Sequence, residues 1–367
     1  MSRADPVQLS MPSSYTHPHD DEMEDDAYSV ISADSTGSML YAHSSSSATS
    51  HDWEMRSASP APSVYSMTSS LRAASYVREF GRGINNYSEV YRLPADEEEF
   101  ERLDRQHIMF MEVMGRYAPP IPEILADDTP GVTKTILDIA RDFPHCSAVA
   151  VDLVPMQDIN MPPNCRSEVD DINLGLQHFY GEFNVAHARL VSSGIRDYKG
   201  LIDEMVQTLR PRGLVELVEF DFHMYDEHRQ SILSNRLEEE TDAVARWMNF
   251  VNVAIEQRGG EPDAANHLRQ WASAHPDLEE VAYREFWFQS CPWKRPNEHN
   301  ASRDNRIAAM MRDDILAFLQ SGRPLLLGSG LGDDFVTELQ MSAERELYEA
   351  TTRTYVRVQN VYARRKA

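Results

Sequence analysis

The sequence predicts an α/β fold built on a mostly parallel, doubly wound sheet, and three observations carry that expectation. Short apolar runs alternate with helical patterns from residue 135 to 222, which is how strand–helix–strand units read. Two of those runs, 135–137 and 148–151, end on the acids Asp138 and Asp152, as strands do when they deliver polar groups to the ligand-binding edge of an open sheet. Near the end, TYVRVQNVYARRK sets Val356 and Val358 against Arg357 and Gln359, the pattern of a half-buried antiparallel strand.

The elements follow in order. Residues 1–70 hold 19 serines, no lysine, no phenylalanine and ten acids against Arg3 and Arg56. Such a segment buries too little apolar surface to offset its ordering entropy, so a disordered acidic tail is expected, either phosphorylatable and regulatory or simply unconstrained. Residues 71–130 form a helical cover and linker. There PADEEEFERLDRQHIMFMEVMG places acids in the first turn and then Phe100, Leu103, His107, Phe110 and Met111 at helical spacing, before the proline-broken APPIPEILADDTPGV.

The main domain, 131–367, begins with strands expected at 135–138, 148–153, 165–169, 183–188 and 214–222. Between the last two, Tyr198, Leu201, Ile202, Met205 and Leu209 make a helical stripe stopped by Pro211 and Gly213. A helical insertion is expected over 226–322, with Val244, Trp247, Met248, Val251 and Ile255 on one face. Its aromatic run, Tyr283, Phe286, Trp287, Phe288 and Trp293, reads either as packed core under the insertion or as a substrate-pocket lining. A helix over 333–349 precedes the terminal antiparallel strand pair.

Charge and composition narrow the function. The chain has 367 residues and a net charge of -24, which disfavours a grip on a nucleic-acid backbone. Cys146, Cys165 and Cys291 make neither a disulfide framework nor a zinc pattern, and His17 and His19 stand in the tail without a metal argument. No run approaches the roughly 18 apolar residues of a membrane span. The expectation is an intracellular protein, cytoplasmic or nuclear, with no membrane, nucleic acid or metal among its partners. Protein partners are expected, if anywhere, at the insertion or the acidic tail.

Several pieces, in this order and spread over roughly three quarters of the chain, carry a resemblance: YRLPADEEEFERLDRQH, ARDFPHCSAVAVDLVPMQ, PPNCRSEVDDINLGL, FNVAHARLVSSGIRDYKGLIDEMVQTLRPRGLVELVEFDF, GRPLLLGSGL and TYVRVQNVYARRK. Together they resemble fungal S-adenosylmethionine-dependent methyltransferases of the LaeA-like group. The resemblance implies a class I, Rossmann-like sheet of seven strands and S-adenosyl-L-methionine as cofactor. It implies further that Asp152, with Leu153 beside it, grips the cofactor ribose; that Asp170, Asp171 and Ile172 read the adenine; and that Asp138 lies near the cofactor's amino-acid end. His187 to Arg189 then stand where the methyl group meets an unidentified acceptor, with His187 the candidate general base or orienting group.

The stretch KTILDIARDFPHCSAVAVDLVP departs from that pattern. A glycine-rich turn and a helix ordinarily follow the first strand, because glycines let the backbone approach the cofactor and a helix start offers free N–H groups. Here Asp138 and Asp152 are separated by only 14 positions without one glycine, whereas the ribose acid usually lies about 20 residues beyond such a turn. The later cluster LLLGSGLGDDF reads as a helix start at Asp333–Asp334 rather than a displaced cofactor loop. Two functions follow from the sequence: a methyltransferase acting on a small molecule or protein in secondary metabolism, or a silent methyltransferase-like regulatory subunit that has lost cofactor binding. An NAD-linked oxidoreductase is disfavoured by the terminal strand pattern and the missing fingerprint.

Overall fold

The computed structural model describes residues 73–126, 133–137, 142–155, 162–232, 242–350 and 352–367. The chain divides into two units, Met1–Ala58 and Ser59–Ala367, and every described residue belongs to the second. The expected tail and Asp138 therefore lie outside the described residues.

A hairpin comes first, β1 (Tyr76–Glu79) and β2 (Arg82–Asn85). Its two-residue turn, Phe80–Gly81, has positive φ at both positions, 47° and 84°, the geometry that matches strand twist in tight hairpins. Arg82 reaches forward in a two-pronged bond to Asp96, at 2.7 Å for each contact. Asp96 in turn caps helix α1 (Glu97–Met114) by accepting from the Glu99 amide, so the hairpin fixes where that helix starts. After a single turn, α2 (Ile121–Ile124), the main sheet begins.

Its strands are β3 (Thr135–Leu137), β4 (Ser147–Asp152), β5 (Cys165–Val169), β6 (Phe183–Arg189), β7 (Leu209–Tyr225), β8 (Leu278–Gln289) and β9 (Tyr355–Arg365). They lie in the order β5-β4-β3-β6-β7-β9-β8. The first five run parallel, and β9 is antiparallel to both β7 and β8. The order reverses between β3 and β6, which makes that point the ligand-binding switch of the sheet.

The short link after β3 is resolved without moving the strand. β3 stays between β4 and β6 but shrinks to three residues, with Thr135 opposite Ser147. Parallel strands ordinarily need about a dozen connecting residues or more; here residues 138–146 suffice, and their described part is a turn in which the Cys146 amide donates to the Phe143 carbonyl at 2.9 Å.

Helix α3 (Tyr198–Thr208) starts on Asp197, which accepts from the Gly200 amide, and buries Leu201, Ile202 and Met205 as its spacing requires. It passes directly into β7, where a Cβ on Gly213 would stand 2.9 Å from the Arg210 carbonyl oxygen; only glycine fits that approach. The stretch 226–322 contains α4 (Ala243–Gln257), α5 (Leu268–Ala274) and much of α6 (Ala301–Gly328), but also strand β8. Four residues of the aromatic run, Tyr283, Phe286, Trp287 and Phe288, therefore lie in a strand, and Phe288, with Phe286 and Trp293 against it, packs into the core with the helices of that stretch. Both faces of β8 carry large apolar groups, Tyr283 and Trp287 on one side and Phe286 and Phe288 on the other, so no clean alternation announced it. α6 and α7 (Asp333–Glu349) are joined by the turn holding Gly330 and Gly332. One core layer packs β7 and β9 against α4, α6 and α7, and the other packs β6 and β7 against α3 and α5.

Candidate functional site

A cavity of about 300 Å³ opens at the carboxyl ends of the parallel strands, walled by β4–β7 and β9 and by the segment from Tyr91 into α1, with α4 and α6 beside it. Its two ends differ in chemistry. At one end stand Asp152, the last residue of β4, with Leu153 after it, and Asp170, Asp171 and Ile172, just past β5. Five of the seven residues singled out from the sequence thus share one cavity wall, because parallel pairing sets Asp152 opposite Val169 and brings the two strand ends level.

Their hydrogen bonds show how the turns are held. Asp152 accepts from the Val154 amide at 3.1 Å, closing the turn after β4. Asp170 accepts from the Asp171 amide at 2.9 Å. Asp171 caps a short helical turn, Ile172–Leu174, by accepting from both the amide and the side chain of Asn173. Asn173 then spans the crevice, donating to the Gly194 carbonyl at 2.9 Å and accepting from the Arg196 amide at 2.9 Å. That side chain locks the β5 turn to the loop after β6.

A carboxylate at the β4 end and an apolar residue with an acid at the β5 end are a donor set that suits a ribose diol and a purine. The β3 end offers nothing comparable among the described residues, since the link 138–146 contains no glycine and no helix start is found in its described part.

His187 does not reach the cavity. It lies two residues before the β6 rim, directly across from Glu216 of β7, and its Nδ1 stands 3.2 Å from that carboxylate. The other Glu216 oxygen accepts from Asn360 at 3.0 Å. Burial works to raise the Glu216 pKa, but these two hydrogen bonds together with the charges of His187 and Arg284 outweigh it and leave the pKa below its ordinary value. Arg189, two residues further along β6 on the same face and the last residue of the strand, stands at the rim, where it lines the cavity and donates to His107 of α1 at 2.9 Å.

Three features escaped the sequence reading. The buried face of α1 is not the Phe100–Leu103–His107 stripe, which borders the cavity and solvent, but the line Glu99, Arg102, Gln106, Met109 and Phe110. Arg102 donates to Glu99 through Nε and Nη2, at 3.0 and 2.6 Å, and to Asp314 of α6 through Nη1 at 2.8 Å. Gln106 also donates to Asp314, and Ser321 to Glu99. Burial pushes the Asp314 pKa up even beside Arg102, while Asp314 and Glu99 hold the guanidinium charged against the same burial. The i, i+3, i+7 spacing of Glu99, Arg102 and Gln106 was the available signal.

The second feature is Tyr91, whose ring packs against Gly194: a Cβ there would lie 3.2 Å from it. Burial, with Glu99 and Asp152 nearby, raises the Tyr91 pKa well above its ordinary value. The third is Glu219 of β7, fully buried, whose Oε1 accepts from the Val191 and Ser192 amides and the Tyr198 hydroxyl at 2.8–3.2 Å. Its Oε2 has no partner, and burial pushes its pKa up to about 7. Glu219 thereby anchors the 190–195 loop that lines the cavity.

The sheet order and its acid-ended strands define a Rossmann-like sheet of the class I methyltransferase type. No protein-family model matches the chain. Over 305 residues it is 46% identical to the secondary metabolism regulator laeA of Coprinopsis cinerea, a match taking in 78% of this chain and 73% of that protein. The Aspergillus fumigatus protein of the same name is 30% identical over 212 residues, and the chain spans about half of its length, 54%. Among solved structures, a phosphoethanolamine N-methyltransferase of Haemonchus contortus in complex with S-adenosyl-L-methionine aligns at a TM-score of 0.37 and 11% identity, over 81% of this chain and 72% of that one. On the Coprinopsis match, the chain belongs to the LaeA-like methyltransferase family.

Proposed function

We propose that the chain binds S-adenosyl-L-methionine at the Asp152–Asp170 end of the cavity and catalyses methyl transfer to an acceptor held at the other end. The observation that carries this reading is the placing of Asp152, Leu153, Asp170, Asp171 and Ile172 on one wall of a cavity at the sheet's switch point. Asp152 is assigned to the ribose hydroxyls, which two charge-assisted bonds from one carboxylate would hold. Leu153 and Ile172 flank the base, and Asp170 accepts from it. The cofactor supplies a methyl group already activated on a sulfonium. The protein's part is to place the acceptor in line and exclude water. His187, one step behind the rim, is assigned to fixing β6 against β7 through Glu216. The name of the Coprinopsis relative supports a place in the regulation of secondary metabolism.

A second reading is favoured by one specific observation, the glycine-free link 138–146. On that reading the chain keeps the fold and the family surfaces but not the cofactor, and acts as a silent regulatory subunit. Titration calorimetry of the 367-residue chain with S-adenosyl-L-methionine separates the two. Saturable heat that disappears in Asp152→Ala supports the enzyme; no heat and no thermal shift at millimolar cofactor sinks it. Sequencing the transcript across codons 138–141 shows whether a glycine-coding insert exists at that point.

A further inference from the structure

Resting on the cofactor assignment above, we infer that the opposite end of the cavity is a chamber for a small apolar acceptor bearing a hydroxyl or amine, and that it disfavours carboxylates. The chamber's walls are apolar and deeply buried. Phe222 of β7, Val358 of β9, Met248 of α4, and Met311, Ile315 and Phe318 of α6 all line it, and none is more than 7% exposed. Such a lining favours a ligand with a substantial apolar body. The cavity measures about 300 Å³ over both ends together. A lining of this kind suits a ring or a short chain.

The polar group expected on the ligand follows from the charges at the chamber's edge. Glu99, Arg102 and Asp314 all line the cavity. Two carboxylates face one guanidinium, so the formal charge of the trio is negative. The guanidinium charge is paired within the protein: Nε and Nη2 donate to Glu99, and Nη1 donates to Asp314. Beside this trio a carboxylate ligand would meet net negative charge, a cost that burial magnifies; Arg189, the other guanidinium of the lining, stands at the β6 rim against His107. Asp314, by contrast, takes one hydrogen bond on each oxygen, from Arg102 and from Gln106. A carboxylate oxygen accepts two, so a ligand hydroxyl or ammonium finds an acceptor there.

The same placement gives the proton of a methylated hydroxyl a destination. As the acceptor oxygen bonds to the methyl carbon, the sulfur–methyl bond breaks and its electron pair stays on sulfur. The hydroxyl proton passes to the Asp314 carboxylate, whose raised pKa suits it to hold that proton.

A matched trio of ligands tests the inference: 1-naphthol, 1-naphthylmethylamine and 1-naphthoic acid, titrated against the full chain near neutral pH by thermal shift and calorimetry. Naphthol and the amine are expected to bind, with naphthoate at least about tenfold weaker. Val358→Phe, which fills the chamber from β9, is expected to weaken both binders by about tenfold or more while the S-adenosylmethionine titration stays unchanged. Should that variant fail to fold, Ile315→Phe fills it from α6. Asp314→Asn is expected to bring naphthoate to within about threefold of naphthol. Binding of none of the trio, equal binding of naphthoate to the wild type, or undiminished binding in the filled variant overturns the inference. A trio that behaves as expected in a chain that takes no cofactor overturns the cofactor reading instead and leaves a ligand chamber. Methylation of a protein that persists in the filled variant shows that acceptors do not enter here.

Discussion

The two ends of the cavity are built to different standards. The apolar end rests on two long strands, β7 with 17 residues and β9 with 11, and on α6, which a buried ionic trio ties to α1. The end proposed for the cofactor rests on β3 with three residues and β5 with five, and on turns held by single side chains. The difference locates where the family fold tolerates loss. The antiparallel half keeps its pairing while the link after β3 runs to only nine residues, of which Phe143 and Cys146 still pack into the core beside β4 and β6.

Perturbing each end should therefore give unequal results. The largest effect is expected from Arg102→Met, which strands Glu99 and Asp314 as unpaired buried acids. Urea unfolding should show a loss of about 3–5 kcal/mol. Next is the pH dependence set by Glu219. Its folded pKa of about 7 exceeds the ordinary 4.5, so the folded state keeps a proton that the unfolded chain gives up. Its contribution is whole below pH 4.5 and is lost as pH rises toward 7, by about 3 kcal/mol in all. Glu219→Gln keeps an acceptor for Val191, Ser192 and Tyr198 and should remove that slope from a stability–pH series.

At the cofactor end the effects should fall on binding. Asp152→Asn is expected to weaken S-adenosylmethionine by about 1.5–3 kcal/mol, read by calorimetry, with the unfolding midpoint nearly unchanged. Asp171→Ala removes a cap and should lower stability by about 1 kcal/mol. If Asp152→Asn instead unfolded the protein, the proposed division of labour between the two ends would fail.

Much of this was legible in the sequence. Strand ends at Asp152 and Val169, the α3 stripe and the terminal strand all follow from local periodicity, and parallel pairing then brings the binding acids together without further instruction. What was not legible depends on partners distant in the chain. Arg102 and Asp314 are 212 positions apart, and nothing local marks a charged helix face as buried. β8 carries apolar groups on both faces because β9 and two core layers meet it. His187 lies in the expected strand, but two residues short of its end, and that distance along β6 leaves its side chain beside Glu216 rather than at the crevice.

The position of β9 also matters before the protein exists as a folded body. β9 lies between β7 and β8, so during synthesis β7 waits with one edge open while the whole stretch from Tyr225 to Tyr355 is translated. At ordinary elongation rates that interval lasts roughly ten seconds. Throughout it, a long and largely apolar strand edge is available to any other unfinished chain. The nascent protein should therefore depend on a holding chaperone until β9 slides in and closes the sheet.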